Sequence, residues 1–456
     1  MDVVKQPLAK NPMEDNRFQV RESPLKNAFD NSSAIRGTFS AIVTMFGLVF
    51  VVMTAVYYAK PDVFNGDLAF VQRSFGNFSY FVMQWIILHA ALLLLTFPAT
   101  KYHVMNRDSN YFNYQIYVFT TVGIVSVVPV YTIFTFKLHP VMSLAVVMEQ
   151  IRILMKLIAF LVENGKKKRY FEETDDVAVE APTVSSFLYF MFAPTLVYRD
   201  HYPRSNKPTN WKLVASYSAQ VIACIFMGMI LIRHQLQPRF TIIGLKALTV
   251  DDITGIFLWS ITFAWFIGLA IGYAFLHAWL NIFAEILCFG DRLFYKDWFS
   301  ATDAMDFMRT WNYLIHSWIV EYLYKPVLRS TGSKPFAIFV VMAMAGLVHD
   351  YVINMSNKYF LLYETTFIPI MLFTTCWTQW MQNHQPEEKV VVRVEKKKLM
   401  GTNIGMFIAI AITNMLECMV ITAEVYAVRN CERPENSWKG SFLAPRFFSC
   451  PSFDLH

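Results

Sequence analysis

The chain has 456 residues, of which 55% are hydrophobic and only 16% charged, with a formal net charge of +6. A soluble chain carries about 25% charge, so a soluble enzyme of several domains is excluded. An aromatic content of 16% with 17 Gly, 19 Pro and 6 Cys excludes disorder, collagen and a disulfide scaffold. What remains is an all-α polytopic membrane protein. Its mildly basic balance suits an anionic lipid face or a phosphate-bearing substrate better than nucleic acid.

Residues 1–36 are polar and hold Lys5, Lys10, Arg17, Arg21, Lys26 and Arg36. They lack the apolar core of a secretory signal and are expected to form a cytosolic arm. Uncharged stretches long enough to cross a bilayer follow at Gly37–Ala59, Ser74–Thr100, Ser109–Phe136, Leu213–Ile232 and Ile253–Ala284. Pro335–Val348 is shorter and ends on His349 and Asp350, Thr365–Pro386 is clean, and Gly401–Val428 carries Glu417 and Glu424. Pro140–Val162 (PVMSLAVVMEQIRILMKLIAFLV) is ambiguous. Its Glu149, Arg152 and Lys156 share one helical face, so the segment fits either an interfacial amphipathic helix or a span turned toward the protein interior. Counting it gives about nine membrane helices.

Lys166–Arg169 and the linker cations Lys389, Arg393, Lys396, Lys397 and Lys398 are expected on the same cytosolic side as the arm. An odd number of spans then puts the tail in the lumen. The expected organisation is arm 1–36, membrane domain 37–428 and lumenal tail 429–456. A lumenal compartment permits a disulfide between Cys431 and Cys450. No metal-ligand spacing, Gly-rich phosphate loop or internal repeat is present in the sequence.

The block 286–334 mixes Trp, Tyr and Phe with Arg, Lys and Asp. It reads either as an interfacial aromatic belt or as a site. A helix over Met308–Lys325 would place Arg309, Asn312 and His316 on one face, flanked by Trp311 and Trp318. His349 follows fourteen uncharged residues and therefore sits at membrane depth. A low-dielectric setting favours its neutral form, which can take a proton from an alcohol; the plainer alternative is a buried His bonded to a neighbouring helix. His89 and His277 read as structural intramembrane histidines. A base in lipid suits an apolar alcohol, a nearby carboxamide at Asn312 suits a developing oxyanion, and the cations Arg309, Lys325, Arg329 and Lys334 suit the phosphates of an activated acyl donor. These parts imply direct acyl transfer from acyl-CoA to a lipid alcohol. No Ser or Cys nucleophile stands in a recognisable elbow.

Phe294-Tyr295-Lys296-Asp297-Trp298 resembles the Phe-Tyr-x-Asp-Trp-Trp-Asn signature of the membrane-bound O-acyltransferases that esterify sterols and diacylglycerol. FGDRLFYKDW, RTWNYLIHSW, YLYKPVL and the run ending in His349-Asp350-Tyr351 resemble the same family. MEQIRILMK, PTLVYRDHYPR and the two C-terminal cysteines are similar to its sterol branch. The resemblance implies an endoplasmic reticulum enzyme with about nine helices enclosing an intramembrane reaction chamber, working as a homodimer or homotetramer. It implies acyl-CoA as co-substrate with no cofactor, and a sterol that enters from the bilayer. The family's catalytic His and Asn fall on His349 and Asn312, its signature and chamber residues on Phe294, Tyr295, Asp297, Trp298, Trp311 and His316, and its acyl-CoA contacts on Arg309, Tyr324 and Lys334. Three departures stand out: Trp298-Phe299-Ser300 replaces Trp-Trp-Asn, Asp350 replaces Glu, and Ala345 stands where a small hydroxyl residue is common. Acylation of diacylglycerol or another lipid alcohol, and an inactive scaffold that kept the fold, are the competing expectations.

Overall fold

The computed structural model describes residues 18–173, 180–301, 304–366, 400–432 and 445–450. The expected span Thr365–Pro386, apart from its first two residues, and the linker cations lie outside this set. The described residues form helices joined by loops, with strand-like pairing limited to isolated bridges. In chain order the helices are α1 (Pro24–Asn31), α2 (Ser33–Tyr58), α3 (Pro61–Met105), α4 (Tyr111–Thr135), α5 (Pro140–Glu173), α6 (Val184–Phe192), α7 (Trp211–Phe240), α8 (Val250–Ile286), α9 (Ala304–Trp311), α10 (313–331), α11 (Lys334–Asn357) and α12 (Met400–Asn430). Six of them, α3, α4, α7, α8, α11 and α12, are long and apolar enough to cross a bilayer, with mean hydropathies of 1.8–2.1 over their most apolar stretches. The 26 residues of α2 carry one charge, Arg36, and extend roughly 39 Å at 1.5 Å per residue.

Of the two expectations for Pro140–Val162, the structure takes the inward one. The helix continues to Glu173, and its polar side chains Gln150, Lys156, Glu163 and Asn164 are all buried. A buried polar group must be paired to persist in an apolar interior. Glu149 accepts two bonds from Arg152 at 2.6 and 2.7 Å, and Arg152 donates to the Met191 carbonyl at 2.7 Å. Lys156 Nζ donates to the carbonyls of Phe190, Met191 and Ala193 at 2.5, 3.0 and 2.8 Å. These carbonyls belong to the last turn and exit of α6, which ends without intrahelical donors of its own. One ammonium thus caps α6 and stitches it to α5.

Three of the four cations in the Lys166–Arg169 run are paired, and Arg169 is exposed. Lys166 bonds Glu163 and Glu321 at 2.9 and 3.3 Å, Lys167 pairs with Asp200, and Lys168 donates to the Asn106 carbonyl at 2.7 Å. Around these ion pairs lies an aromatic core in which Phe160, Phe187, Phe190 and Tyr198 meet edge to face at 4.8–5.1 Å.

The end of the N-terminal arm is docked. Arg21 makes a bidentate pair with Asp291 at 2.6 and 2.8 Å, and the Arg21 backbone bonds Gly290 and Arg292. At the other terminus Cys431 and Cys450 form a disulfide with Cα atoms 5.4 Å apart. Glu424, fully buried on α12, accepts the backbone N–H groups of Arg446 and Phe447 at 2.8 and 3.1 Å. Of the two carboxylates inside Gly401–Val428, Glu424 therefore has structural partners.

Replacing Lys156 by Met keeps the length of the side chain and removes all three bonds. Met191 keeps its bond from Arg152 and Ala193 keeps the Thr195 N–H at 2.8 Å, so it is the Phe190 carbonyl that loses its donor. An orphaned buried carbonyl costs about 1–3 kcal/mol, and the purified variant in detergent is expected to melt a few degrees below the wild type, whereas an unchanged melting temperature would contradict the capping role.

Candidate active site

The signature segment lies in the loop between α8 and α9. Phe294, Tyr295 and Trp298 are buried, whereas Lys296 and Asp297 are exposed. The loop is fastened by its backbone on both sides of Asn312: Lys296 N–H donates to the Thr310 carbonyl at 2.8 Å, and Leu314 N–H to the Phe294 carbonyl at 3.3 Å. Tyr295 OH meets His277 Nδ1 at 2.8 Å. His277 lies in a wide π-type stretch of α8, Ile271–Trp279; such irregular turns re-aim side chains and recur at functional sites. Ser300, at the position of the signature Asn, donates to the Asp297 carboxylate at 2.5 Å. The departure thus closes the loop on itself through a hydroxyl.

A continuous helix over Met308–Lys325 is not what forms. The helix stops at Trp311, Asn312 takes a non-helical conformation (φ −125°, ψ 79°), and a new helix starts at Tyr313. The three residues Arg309, Asn312 and His316 are therefore not one uninterrupted helical stripe. The reason is the side chain of Asn312: its Oδ1 accepts Ile315 N–H at 3.1 Å, an N-cap that competes with helix continuation. Because Oδ1 is committed to the backbone, the Nδ2 amide hydrogens point away from the cap, and they make no bond to a described residue.

His316 is half-buried one turn into α10. Burial, then the positive charges of Arg309 and Lys296, hold its imidazole below the ordinary value. Lys296 Nζ sits 4.0 Å from the centre of the Tyr313 ring. Cations therefore gather on the side of the Asn312 turn where Arg309 and Lys296 are exposed. Tyr324 is half-buried, Lys334 is exposed at the start of α11, and Lys325 is paired with Glu321 at 2.8 Å rather than standing free.

Beside the signature loop is a cavity of about 180 Å³ lined by Trp265, Trp298, Phe307, Trp311, Phe407 and Asn414 with small residues of α8 and α12. Trp298 meets Trp311 edge to face at 5.3 Å and Phe307 at 5.8 Å. A Cβ added at Gly272 would lie 2.8 Å from the Trp311 ring, so only glycine lets α8 accept that indole. Trp265, Phe407 and Asn414 were not among the residues expected from sequence. Asn414 did carry a signal, as a carboxamide in an otherwise apolar stretch.

His349 is on α11 and is exposed, not enclosed in protein and not bonded to a neighbouring described helix. Its neighbour Asp350 is the buried one. Asp350 accepts Glu364 N–H at 2.8 Å, Thr365 N–H at 3.0 Å and the Thr365 hydroxyl at 2.5 Å, and so caps the helical turn that begins at Tyr363. Glu364 lies within electrostatic reach of His349 and of Glu417. His349 and Asn312 are not hydrogen-bonded to each other, and neither lines the aromatic cavity. The structure brings Trp298, Trp311 and the Asn312 turn together; it places His349 on a separate helix, α11.

An aromatic void beside an amide at a helix break, among helices apolar enough to cross a bilayer, fits an enzyme that handles apolar substrates in lipid. Residues 112–394 match the membrane-bound O-acyltransferase family, and the chain belongs to it. It is a multi-pass membrane O-acyltransferase. Over 96% of its length it is 28% identical to sterol O-acyltransferase 1 of Chlorocebus aethiops, covering 78% of that protein. It is 31% identical to sterol O-acyltransferase 1 of Mus musculus over 79% of the chain and 68% of the relative. Sterol O-acyltransferase 2 of Homo sapiens is 28% identical over 83% and 69%.

Asp350→Ala removes the cap of the turn at Tyr363. N-caps contribute about 0.5–2 kcal/mol, and burial adds the cost of orphaned donors. The variant is expected to lose both thermal stability and turnover, while Asp350→Asn, which keeps an acceptor, loses less of each. Equal melting curves for the two variants would count against the capping role.

Proposed function

We propose that the protein transfers a long-chain acyl group from acyl-CoA to the 3-hydroxyl of a sterol. The observation that carries this reading is the run of sterol O-acyltransferases of both types to which 79–96% of the chain is similar. The aromatic cavity beside the Asn312 turn supports it, since flat indole and phenyl walls suit a rigid apolar alcohol.

In this mechanism the imidazole of His349 takes the hydroxyl proton as the sterol oxygen attacks the thioester carbonyl. Asn312 Nδ2–H donates to the developing oxyanion, a role open to it because Oδ1 is held by Ile315. Collapse of the intermediate breaks the C–S bond, and the CoA thiolate leaves with the proton carried by His349. Arg309, Tyr324 and Lys334 hold the donor, its phosphates meeting the cations. The enzyme works in the endoplasmic reticulum membrane as a homo-oligomer, with the arm in the cytosol and the disulfide-bonded tail in the lumen, where oxidation is possible.

Purified protein given labelled oleoyl-CoA with cholesterol or diacylglycerol tests the acceptor: steryl ester is expected and triacylglycerol is not, and the opposite outcome overturns the reading. His349→Ala should abolish ester formation, and Asn312→Ala should lower turnover by about 10²–10³-fold, the cost of losing one oxyanion donor. Arg309→Ala and Lys334→Ala should raise the acyl-CoA KM with little change in kcat, because phosphate contacts hold ground state and transition state alike; a lowered kcat at constant KM would argue against that assignment.

A further inference from the structure

Helix α5 touches the helices of both proposed catalytic residues through side-chain hydrogen bonds, and one of its residues has an unusual set of partners. Gln150 is buried, with 2% exposure. Its Nε2 donates to the carbonyls of Val125 and Ser126 at 3.0 and 3.2 Å, and its Oε1 accepts Tyr351 OH at 2.8 Å. Val125 is four residues before Pro129, which lies inside α4. A proline has no N–H, so the Val125 carbonyl has lost its intrahelical donor. The Gln150 amide supplies it. Both amide hydrogens and the amide oxygen of Gln150 are thereby used, which fixes the side chain in one orientation.

Tyr351 is two residues after His349 on α11. Successive residues turn by about 100°, so Tyr351 and His349 face nearly opposite sides of the helix. The bond to Gln150 therefore grips the back of α11 and turns the imidazole outward, consistent with its exposure. Five residues further along α5, the Met155 carbonyl accepts Trp318 Nε1–H at 2.9 Å. Trp318 is on the helix that Asn312 caps. Five residues on one straight helix span about 7.5 Å.

We propose that α5 acts as a spacer between base and amide donor, with Gln150 as the positioning residue for His349 and Trp318 that for Asn312. Neither needs to touch substrate. The inference rests on the roles given above to His349 and Asn312.

The test uses the full chain. Tyr351→Phe is nearly isosteric and deletes one bond; kcat is expected to fall about 5–20-fold with the acyl-CoA KM within twofold, since misplacement of a reacting group by about 1 Å can cost 10²-fold. Gln150→Leu should lower kcat further, and adding Tyr351→Phe in that background should change it less than twofold, because the bond is already gone. Trp318→Phe should show the same fall in kcat at constant KM. Wild-type kcat in Tyr351→Phe, multiplicative losses in the double variant, or losses confined to KM would each overturn the proposal. His349→Ala is run alongside: if that variant keeps full activity, the base assignment itself has failed, whereas an inactive His349→Ala beside a normal Tyr351→Phe rejects only the spacer.

Discussion

A polar group removed from water inside a bilayer must find its partner in protein, and in this chain that demand is concentrated on one helix. α5 carries Gln150, Lys156, Glu163 and Asn164 into the interior; Asn164 bonds within the helix, while Gln150, Lys156 and Glu163 reach side chains or carbonyls outside it. Lys156 secures the end of α6, Gln150 secures α4 and α11, and the Lys166–Glu321 pair reaches α10. Apolar packing alone would leave these helices free to slide past one another, since lipid solvates their surfaces as well as protein does. Directional bonds to α5 remove that freedom.

The polar and apolar parts of the candidate site are built by different means. The apolar part is a wall of aromatic rings held by tilted contacts between the signature loop and α9, with α8 and α12 completing it. The polar part depends on helix ends. Asn312 starts one helix and Asp350 starts another turn, so the same short side chains that interrupt regular structure also fix the backbone around the candidate site. Breaking a helix leaves backbone groups unmatched, and a carboxamide or carboxylate that satisfies them is held more rigidly than one displayed on an unbroken surface.

Much of the architecture was legible because membrane spans announce themselves as long uncharged runs; α4 and α12 fall close to the stretches read from sequence. The pattern of Glu149, Arg152 and Lys156 was legible as a helical face but not as an inward one, because spacing is the same whether a face meets water or protein. The interruption at Asn312 was missed for a related reason: no Pro or Gly marks it, and only the cap geometry reveals it. Arg21 and Asp291 are 270 positions apart, so no local pattern could connect the arm to the signature loop. The expected lumenal placement of the tail singled out Cys431 and Cys450 as a pair that could oxidise, and the disulfide joins them. The family signature gave the site its vocabulary, while the partners of Gln150, His277 and Asp350 lie on other elements and emerge only in three dimensions.

The approach of Trp311 to Gly272 has a consequence for how this enzyme could diverge. The room inside the aromatic void depends on a missing methyl group: any side chain at position 272 would press on an indole that also braces Trp298. A single-nucleotide change there would reshape the floor of the void without altering any group assigned to proton transfer. Lineages carrying this scaffold therefore have an inexpensive route to a smaller void, one that leaves the polar groups around Asn312 in place.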